Sequence, residues 1–332
     1  MPCTVICGAF WGDEGKGKII SYLALKDKLD FCARTGSVNA AHTVWHKGTK
    51  YALHMVPAGF VQEKCRLLIG AGSNVHVIRF LEEIDVTKTE DRIGIDHQAS
   101  IIEEKHAAQD KSSEHLKSLG TTGWGVGPAV EERVRRTAEL ARDIPELKPY
   151  LADVAEEINN AIGDGRKVLL EGTQGLLLSL FHGSYPYVTS RDTGASAICS
   201  EAGVGPTRVD DVLLVFKSFI TRVGTGPLPG ELSRDEAQRR GWFETAAGTG
   251  RERRSAPFNF DLARKAVMIN GATQGALTKL DCLYPDCKGV RGFEELSRET
   301  RQFVEKIEKE TGVPVVLIGT GPDELDIIDR RK

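Results

Sequence analysis

The sequence predicts an α/β fold with a mainly parallel central sheet flanked by helices. Short apolar runs alternate with amphipathic stretches along the whole chain of 332 residues. The first run, Val5 to Cys7, is followed at once by a glycine-rich turn and a helical pattern. Alternating strands and helices favour parallel pairing, because each helix returns the chain to the same edge of the sheet. Loops that carry function should then lie at the C-terminal ends of the strands.

The individual elements follow this alternation along the chain. We predict strands over Val5 to Cys7, Arg66 to Ile69, Val168 to Glu171, Val212 to Phe219, Ala276 to Leu280 and Val315 to Ile318. We predict helices over roughly Gly17 to Leu25, Val75 to Glu83, Glu131 to Ala141, Leu151 to Ile162, Leu262 to Ile269 and Glu295 to Glu310. No repeat or long linker interrupts the pattern, so we expect residues 1–332 to form a single domain.

The composition argues against several functional classes. The net charge is −3 with acids and bases interspersed, so we expect no nucleic-acid or anionic-membrane surface. No apolar run reaches the roughly 18 residues of a membrane helix, and no signal-like segment opens the chain. Seven scattered cysteines without a Cys-x-x-Cys pair argue against a disulfide scaffold or a zinc site. We therefore expect a cytoplasmic protein.

A glycine-rich segment follows the first predicted strand. Gly12 to Lys18 reads Gly-Asp-Glu-Gly-Lys-Gly-Lys and fits the phosphate-loop pattern G-x-x-x-x-G-K. Such loops hold phosphates with backbone N–H groups, a helix N-terminus and a lysine. However, Ile19 occupies the position of the usual hydroxyl ligand of Mg²⁺, and Asp13 adds a carboxylate inside the loop. That carboxylate suits a metal ligand or a base. The alternative is a tight turn with solvated lysines.

The segment Phe10 to Lys18 resembles the opening signature of the adenylosuccinate synthetase family, and the resemblance continues along essentially the whole chain. The length is like that of the short archaeal-type form. The resemblance implies the P-loop-like nucleotide-binding fold of this family. It also implies a GTP- and Mg²⁺-dependent ligase that joins L-aspartate to C6 of a 6-oxopurine nucleoside monophosphate through a 6-phosphoryl intermediate.

The same resemblance implies a set of site residues. The catalytic residues are Asp13, His42, Lys16 and Gln174. The GTP-binding residues are Gly12, Glu14, Gly15, Lys16, Gly17, Lys18, Lys279, Asp281, Gly321 and Pro322. The purine nucleotide contacts Asn39, Thr122, Arg136, Gln174, Thr189, Val223 and Arg251. Aspartate contacts Thr249, Arg251 and Arg253. Mg²⁺ is bound by Asp13 and by the backbone carbonyl of Ala41. Arg136 reaches the site from the partner subunit of a homodimer.

The residue chemistry supports two of these assignments independently. Three arginines between Arg251 and Arg254 suit a dicarboxylate, since guanidinium groups bind carboxylates bidentately. Asp281, at the end of a predicted strand, can accept hydrogen bonds from guanine N1–H and the 2-amino group, which adenine lacks. Taken alone, other motifs have simpler interpretations: His42 as a core or loop histidine, Gln174 as a turn residue, and Glu131 to Arg136 as an exposed helix with ion pairs.

Departures from the family pattern bear on which purine is used. They are Ser37, Ala41, Trp124, Thr225, Gly230 and the Ala256-Pro257 stretch. Ala resists a positive φ, and Thr225 adds bulk beside the ribose edge, which disfavours a 2′-hydroxyl. This pattern resembles phage relatives that use dGMP and make 2-amino-2′-deoxyadenylosuccinate, a precursor of 2-aminoadenine in viral DNA. We therefore favour dGMP, in a host cytoplasm, with IMP as the alternative.

Two other classes of protein remain as alternatives. A nucleotide-binding regulator without catalysis is disfavoured because Asp13, His42 and Gln174 are all present. Another phosphate-loop enzyme, such as a kinase or GTPase, is disfavoured by Ile19 and by the carboxylate inside the loop.

Overall fold

The computed structural model describes residues 3–245 and 250–331. Within these ranges the strands are β1 Cys3–Gly8, β2 Phe31–Arg34, β3 His42–His46, β4 Thr49–Leu53, β5 Arg66–Ile69, β6 Asn74–Val75, β7 Ile93–Asp96, β8 Ser100–Ile101, β9 Leu151–Ala152, β10 Val168–Glu171, β11 Asp211–Lys217, β12 Phe219–Val223, β13 Glu244–Thr245, β14 Glu252–Pro257, β15 Gln274–Thr278, β16 Val315–Gly319 and β17 Ile327–Asp329.

The α-helices lie mostly between these strands. They are α1 Lys16–Asp27, α2 Val77–Thr87, α3 Glu104–Ser112, α4 Glu114–Ser118, α5 Val126–Arg135, α6 Val154–Gly163, α7 Ala195–Ala202, α8 Arg234–Arg239, α9 Phe260–Asn270, α10 Leu280–Leu283 and α11 Arg298–Thr311. Sequence explains many of their limits. In α11, for example, the Ser297 hydroxyl accepts a hydrogen bond from Thr300 N–H, and Gly312 ends the helix with φ +75°. None of the helices in the described ranges has the length and apolar character needed to cross a membrane.

Ten strands form the central sheet, in the order β17-β16-β15-β11-β1-β10-β2-β5-β7-β9. All neighbours in it pair in parallel except β16 and β17, which are antiparallel. Alternate strand residues contribute to two separate hydrophobic cores: Val5 and Cys7 pack on one face of the sheet and Ile6 on the other. Apolar residues of α6, α7, α9 and α11 cover the first face, and those of α1, α2 and α5 cover the second. The predicted α/β fold is therefore confirmed.

Smaller sheets extend from this centre. The hairpin of β3 and β4 turns at Lys47 and Gly48, both of which have positive φ. A three-stranded antiparallel sheet, β12-β14-β13, stands beside the C-terminal end of β11. Six of the seven cysteines are buried and Cys282 is half-buried; none of the seven forms a disulfide, which agrees with the absence of a disulfide scaffold.

Some predicted boundaries are wrong. The helix predicted over Glu131 to Ala141 is instead α5, which begins five residues earlier and ends at Arg135; Arg136 follows it with φ +66°. The apolar run Val212 to Phe219 belongs to two strands, because the chain leaves the central sheet after Lys217. The strand predicted to reach Leu280 ends at Thr278, because Lys279 has φ +60° and Leu280 begins α10.

Candidate active site

A cavity of about 840 Å³ lies at the C-terminal ends of the central strands. The loops that follow five strands of the central sheet contribute to its wall: those after β1, β2, β10, β15 and β16. Parallel strands bring their C-terminal ends to one edge of a sheet, so loops that are distant in sequence meet there. The β12-β14-β13 sheet closes another side with Val223, Glu244 and Arg253.

Most of the predicted site residues line this one cavity. They are Gly12, Asp13, Gly15, Lys16, Gly17, Lys18, Asn39, Ala41, His42, Thr122, Gln174, Thr189, Val223, Arg251, Arg253, Lys279, Asp281, Gly321 and Pro322. Glu14 and Arg136 do not line it. Glu14 is buried behind the loop, whereas Arg136 is exposed at the end of α5. Thr249 lies outside the described residues.

The loop between β1 and α1 is built around the buried Glu14. Its Oε1 accepts hydrogen bonds from the N–H groups of Phe10 (3.0 Å) and Gly12 (2.8 Å), and its Oε2 accepts one from Lys16 Nζ (2.7 Å). Lys16 Nζ also donates to the carbonyl of Gln174. Glu14 therefore shapes the loop and neutralises Lys16, rather than facing a ligand.

Two glycines allow this arrangement. A Cβ atom at Gly8 would lie 2.4 Å from Glu14 Oε2 and 2.5 Å from the Gln174 carbonyl oxygen, so no side chain fits there. Gly15 precedes α1 with φ +85°, which glycine adopts without strain. As a result, the N-terminus of α1 opens into the cavity with its first N–H groups available for an anion.

The carboxylate of Asp13 is paired with an arginine. Its Oδ1 accepts a hydrogen bond of 2.6 Å from Arg253 Nη2, and Arg253 Nη1 donates to Glu244 Oε2 at 2.6 Å. Asp13 itself has φ +61°, a strained value for a residue with a side chain. The loop thus holds this carboxylate toward the cavity rather than toward the protein interior.

His42 is oriented by a buried ion pair. Its Nδ1 lies 2.7 Å from Glu171 Oε1, and the same oxygen accepts a 2.6 Å hydrogen bond from Arg34 Nη1. The N–H of Ala58 donates to the other oxygen, Oε2, at 2.7 Å. Because Glu171 is an acceptor, the imidazole places a proton on Nδ1 and leaves Nε2 as the atom without a hydrogen-bond partner among the described residues.

The charges around His42 follow from the same contacts. Burial, reinforced by Arg34, lowers the pKa of His42 to about 4, so its imidazole is neutral near pH 7. Burial alone would raise the pKa of Glu171, but Arg34 and His42 lower it below its ordinary value. Glu171 is therefore ionised, and it would stabilise a protonated His42 once an anionic ligand lies beside Nε2.

A second region of the cavity is formed by the loops after β15 and β16. Lys18 Nζ donates to the carbonyls of Gly321 and Asp326, the latter at 2.9 Å, and burial lowers the pKa of Lys18 to about 8. The hydroxyl of Thr278 donates to the Glu14 carbonyl and joins this region to the phosphate loop. Lys279 and Asp281 face the cavity between these contacts.

Another part of the cavity wall contains Thr122, Val223 and Arg251, three of the predicted purine-nucleotide residues. Arg251 Nη1 donates to the carbonyls of Gly120 (2.9 Å) and Thr121 (3.1 Å), which fixes the loop that carries Thr122. The hydroxyl of Thr225 donates to the Ser118 carbonyl at 3.1 Å. Thr225 is thus hydrogen-bonded to the neighbouring loop, a structural role that the sequence did not suggest.

The departures from the family pattern are mostly outside the cavity. Ala41 and Thr225 line it, and Ala41 does not have a positive φ, so an alanine fits this position. Ser37 is buried and bonded to the Asn74 carbonyl, and Trp124 packs against the rings of His54 and His76. The remaining departures do not line the cavity either: Gly230, Ala256 and Pro257.

Sequence reasoning missed four charged residues around this site. Arg34 and Glu171 orient His42, while Lys217 and Glu244 contact the residues around Asp13. A signal existed for three of them, because Arg34, Glu171 and Lys217 end buried strands at the functional edge of the sheet. Charged residues at that position are expected to be paired and close to a site.

An α/β fold with a phosphate loop at a helix N-terminus, a carboxylate inside that loop and a buried histidine defines an enzyme that acts on phosphorylated nucleotides. The model of the adenylosuccinate synthetase family matches residues 5–145 and 137–285, and the chain belongs to this family. It is a ligase that forms a carbon–nitrogen bond. Members of the family are generally GTP- and Mg²⁺-dependent.

Individual relatives extend this likeness to the whole chain. An adenylosuccinate synthetase from Archaeoglobus fulgidus is 52% identical over 334 residues, which cover 100% of this chain and 99% of the relative. One from Methanocaldococcus jannaschii is 51% identical over 336 residues, covering 100% and 97%. The structure of fully ligated adenylosuccinate synthetase from Plasmodium falciparum matches with a TM-score of 0.92 at 26% identity, covering 99% of each chain.

A phage enzyme has the same fold. The succinoaminodeoxyadenylate synthetase of cyanophage S-2L, bound to dGMP and dATP, matches with a TM-score of 0.84. It is 23% identical to this chain, and the match covers 100% of this chain and 96% of the phage chain. At this identity, the likeness concerns the fold alone.

Proposed function

We propose that the chain joins L-aspartate to C6 of IMP, with GTP as the phosphoryl donor, and so forms adenylosuccinate. One observation carries the proposal: a single cavity is lined by the phosphate loop with Asp13, by His42, which Glu171 orients from behind, by Lys279 and Asp281, and by Arg251 and Arg253. Each corresponds to one part of the reaction that the family resemblance implies. The chain is also about half identical, over its full length, to archaeal enzymes named adenylosuccinate synthetase.

In the first step, Asp13 accepts the N1 proton of the purine, and O6 becomes nucleophilic. O6 then attacks the γ-phosphorus of GTP, the bond to the β-phosphate oxygen breaks, and GDP leaves. Lys16 and the first N–H groups of α1 stabilise the charge on the transferred phosphoryl group. Nε2 of His42 has no hydrogen-bond partner among the described residues. Once His42 gains a proton beside the anionic phosphoryl group, with its charge balanced by Glu171, the Nε2–H would donate to a phosphoryl oxygen.

In the second step, the amine of aspartate attacks C6 and displaces the 6-phosphoryl group as inorganic phosphate. Arg251 and Arg253, together with Thr249, would hold the aspartate carboxylates beside C6. Gln174 would bind the purine. Its φ of +63° turns this residue into the cavity next to the phosphate loop.

The oxygen donors fit Mg²⁺. Asp13 and Ala41 both line the cavity, and a carboxylate and a backbone carbonyl are the hard oxygen ligands that Mg²⁺ prefers. These residues would hold the ion, which would neutralise charge on the donor phosphates. The Asp13 carboxylate remains available to a metal ion, since among the described residues its only ion pair is with Arg253.

IMP is favoured over dGMP, although the departures from the family pattern had suggested the opposite. Five of the seven departing residues do not line the cavity, and the other two, Ala41 and Thr225, have structural explanations. The hydroxyl of Thr225 donates a hydrogen bond to the Ser118 carbonyl, and this contact explains the threonine without a role in excluding the 2′-hydroxyl of a ribose. The phage enzyme bound to dGMP is a more distant relative than the archaeal synthetases.

A substrate panel tests both the reaction and the purine. Purified protein is incubated with aspartate, Mg²⁺, GTP or ATP, and each of IMP, GMP, dIMP and dGMP, and phosphate release and the succinyl product are measured. We expect turnover with IMP and GTP. Turnover with dGMP but not IMP would replace IMP by dGMP in the proposal, and no turnover with any purine would refute the proposed function.

A further inference from the structure

Glu244 lies at the junction of two parts of the cavity. It is the first residue of β13, and its pairing partner in β14 is Arg253. The cavity wall includes Glu244, but the family resemblance gives it no role. Its side chain is only 14% exposed, so its carboxylate needs partners.

Three cations surround this carboxylate. Lys217 Nζ lies 2.7 Å and Arg253 Nη1 2.6 Å from Oε2, and Lys279 Nζ lies 3.3 Å from Oε1. Burial alone would raise the pKa of Glu244, but Lys217, Lys279 and Arg253 together lower it to about 2. Glu244 is therefore an anion at every pH at which the protein is expected to work.

Lys217 anchors Glu244 from behind. It is the last residue of β11, is 1% exposed, and also donates to the hydroxyl of Thr221 at 3.0 Å. Because a buried ammonium cannot turn to water, Lys217 fixes the position of Glu244. The two remaining cations, Arg253 and Lys279, are thereby held by a fixed anion.

The two held cations belong to different substrate regions. Arg253 is the candidate aspartate ligand. Its Nη1 is held by Glu244 and its Nη2 by Asp13, while its buried Nε has no acceptor among the described residues. Arg253 lines the cavity, so a substrate carboxylate there can form charge-assisted hydrogen bonds with its guanidinium group. Lys279 belongs to the candidate guanine pocket, next to Asp281.

We propose that Glu244 is a positioning residue that couples the aspartate site to the donor-nucleotide pocket. It holds the Arg253 guanidinium at the cavity wall, where the aspartate carboxylate would bind, and the Glu244 carboxylate also holds Lys279 beside the base of the donor. Loss of its charge releases both cations at once and leaves the purine-nucleotide region unchanged. This inference rests on the proposed function.

The test compares Glu244→Gln with Glu252→Gln. Both changes remove one carboxylate from the same strand pair, but Glu252 is exposed and lies outside the cavity wall. Among the described residues its one ion pair is with Arg234, at 3.8 Å. The readouts are kcat, the KM values for aspartate and IMP, and the Kd of GDP from calorimetric titration, which requires no turnover.

For Glu244→Gln we expect the KM of aspartate to rise about tenfold and the Kd of GDP several-fold, with the KM of IMP changed less than about twofold. Glu252→Gln should resemble the wild type. An unchanged KM for aspartate, an unchanged Kd for GDP, or an equal rise for all three ligands would overturn the proposal.

A second variant keeps the proposal testable if Glu244→Gln does not fold. Glu244→Asp keeps the charge but moves it back by one methylene group, and it should weaken the binding of both aspartate and GDP by a smaller factor than Glu244→Gln does. If the binding of neither ligand, or of only one, is weakened, the proposed coupling is overturned. Failure of the proposed function would appear differently, as a wild-type protein without turnover of IMP, aspartate and GTP.

Discussion

Replacement of Glu171 by glutamine tests the buried ion pair behind His42. Glu171 is fully buried, and its Oε1 accepts hydrogen bonds from both Arg34 and His42. Glutamine has nearly the same shape but no charge, so the Arg34 guanidinium, itself 2% exposed, loses its counter-ion. Leaving a buried charge unpaired costs about 3–5 kcal/mol, and we expect the free energy of unfolding to fall by that amount.

The matched control is Glu157→Gln. Glu157 also forms two hydrogen bonds with an arginine, Arg66, each of 2.9 Å, but both side chains are about one-third exposed. Water can replace the lost partner there, so we expect a change of less than about 1 kcal/mol.

Urea unfolding followed by tryptophan fluorescence measures both variants, with an unchanged m-value as the condition for comparing them. Activity provides a second readout, because His42 loses the acceptor that selects its tautomer and kcat should fall in Glu171→Gln alone. If the two variants lose the same free energy of unfolding, the assignment of a buried, charge-dependent role to Glu171 is refuted.

Three further predictions concern the same cavity. Asp13→Ala should keep the circular dichroism spectrum of the wild type and lose about 10²- to 10⁴-fold in kcat; near-normal turnover would remove Asp13 from the role of base. The pKa of His42 falls from 6.5 in the unfolded chain to about 4 in the folded protein. Between pH 6.5 and 4 the folded protein therefore binds fewer protons than the unfolded chain, and the urea midpoint of unfolding should decrease as the pH is lowered through this range. The decrease should be smaller in His42→Asn, and an equal dependence of the midpoint on pH in the two proteins would contradict the prediction. Mixing inactive Asp13→Ala and Arg136→Ala proteins should restore about a quarter of the wild-type activity if Arg136 acts in the partner subunit, whereas no recovery would argue against a shared site.

Local sequence patterns predict six of the ten strands of the central sheet, β1, β5, β10, β11, β15 and β16, and miss β2, β7, β9 and β17. The limits of β5 and β10 agree with the predictions, because both are short apolar runs that are buried on both faces of a parallel sheet. The predicted start of α5 is wrong because the charged run after Glu131 has a helical pattern of its own and indicates a helix that begins there. The better signals were Gly125, with φ +80°, and Pro128 in the first turn.

The missed parts of the site depend on contacts between distant segments. The burial of Arg34 is possible because Glu171 lies beside it, 137 residues further along the chain. Lys217 likewise depends on Glu244, 27 residues away on a short strand of another sheet. No local pattern in the sequence reports such a pairing, since each charge taken alone would be expected at the surface.

The ends of the central sheet limit how copies of this chain can associate. At one edge β9 has two residues, and at the other β17 has three and runs antiparallel to its neighbour. Arg331, just beyond β17, is held by ion pairs to Asp27 and Asp329. Such short edges offer few unpaired backbone groups, so neither supports strand addition or fibre-like growth. In the homodimer that the family resemblance implies, we therefore expect the contact to come from side chains on helices and loops, which could bring the end of α5 to a neighbouring cavity, rather than from the edges of the central sheet.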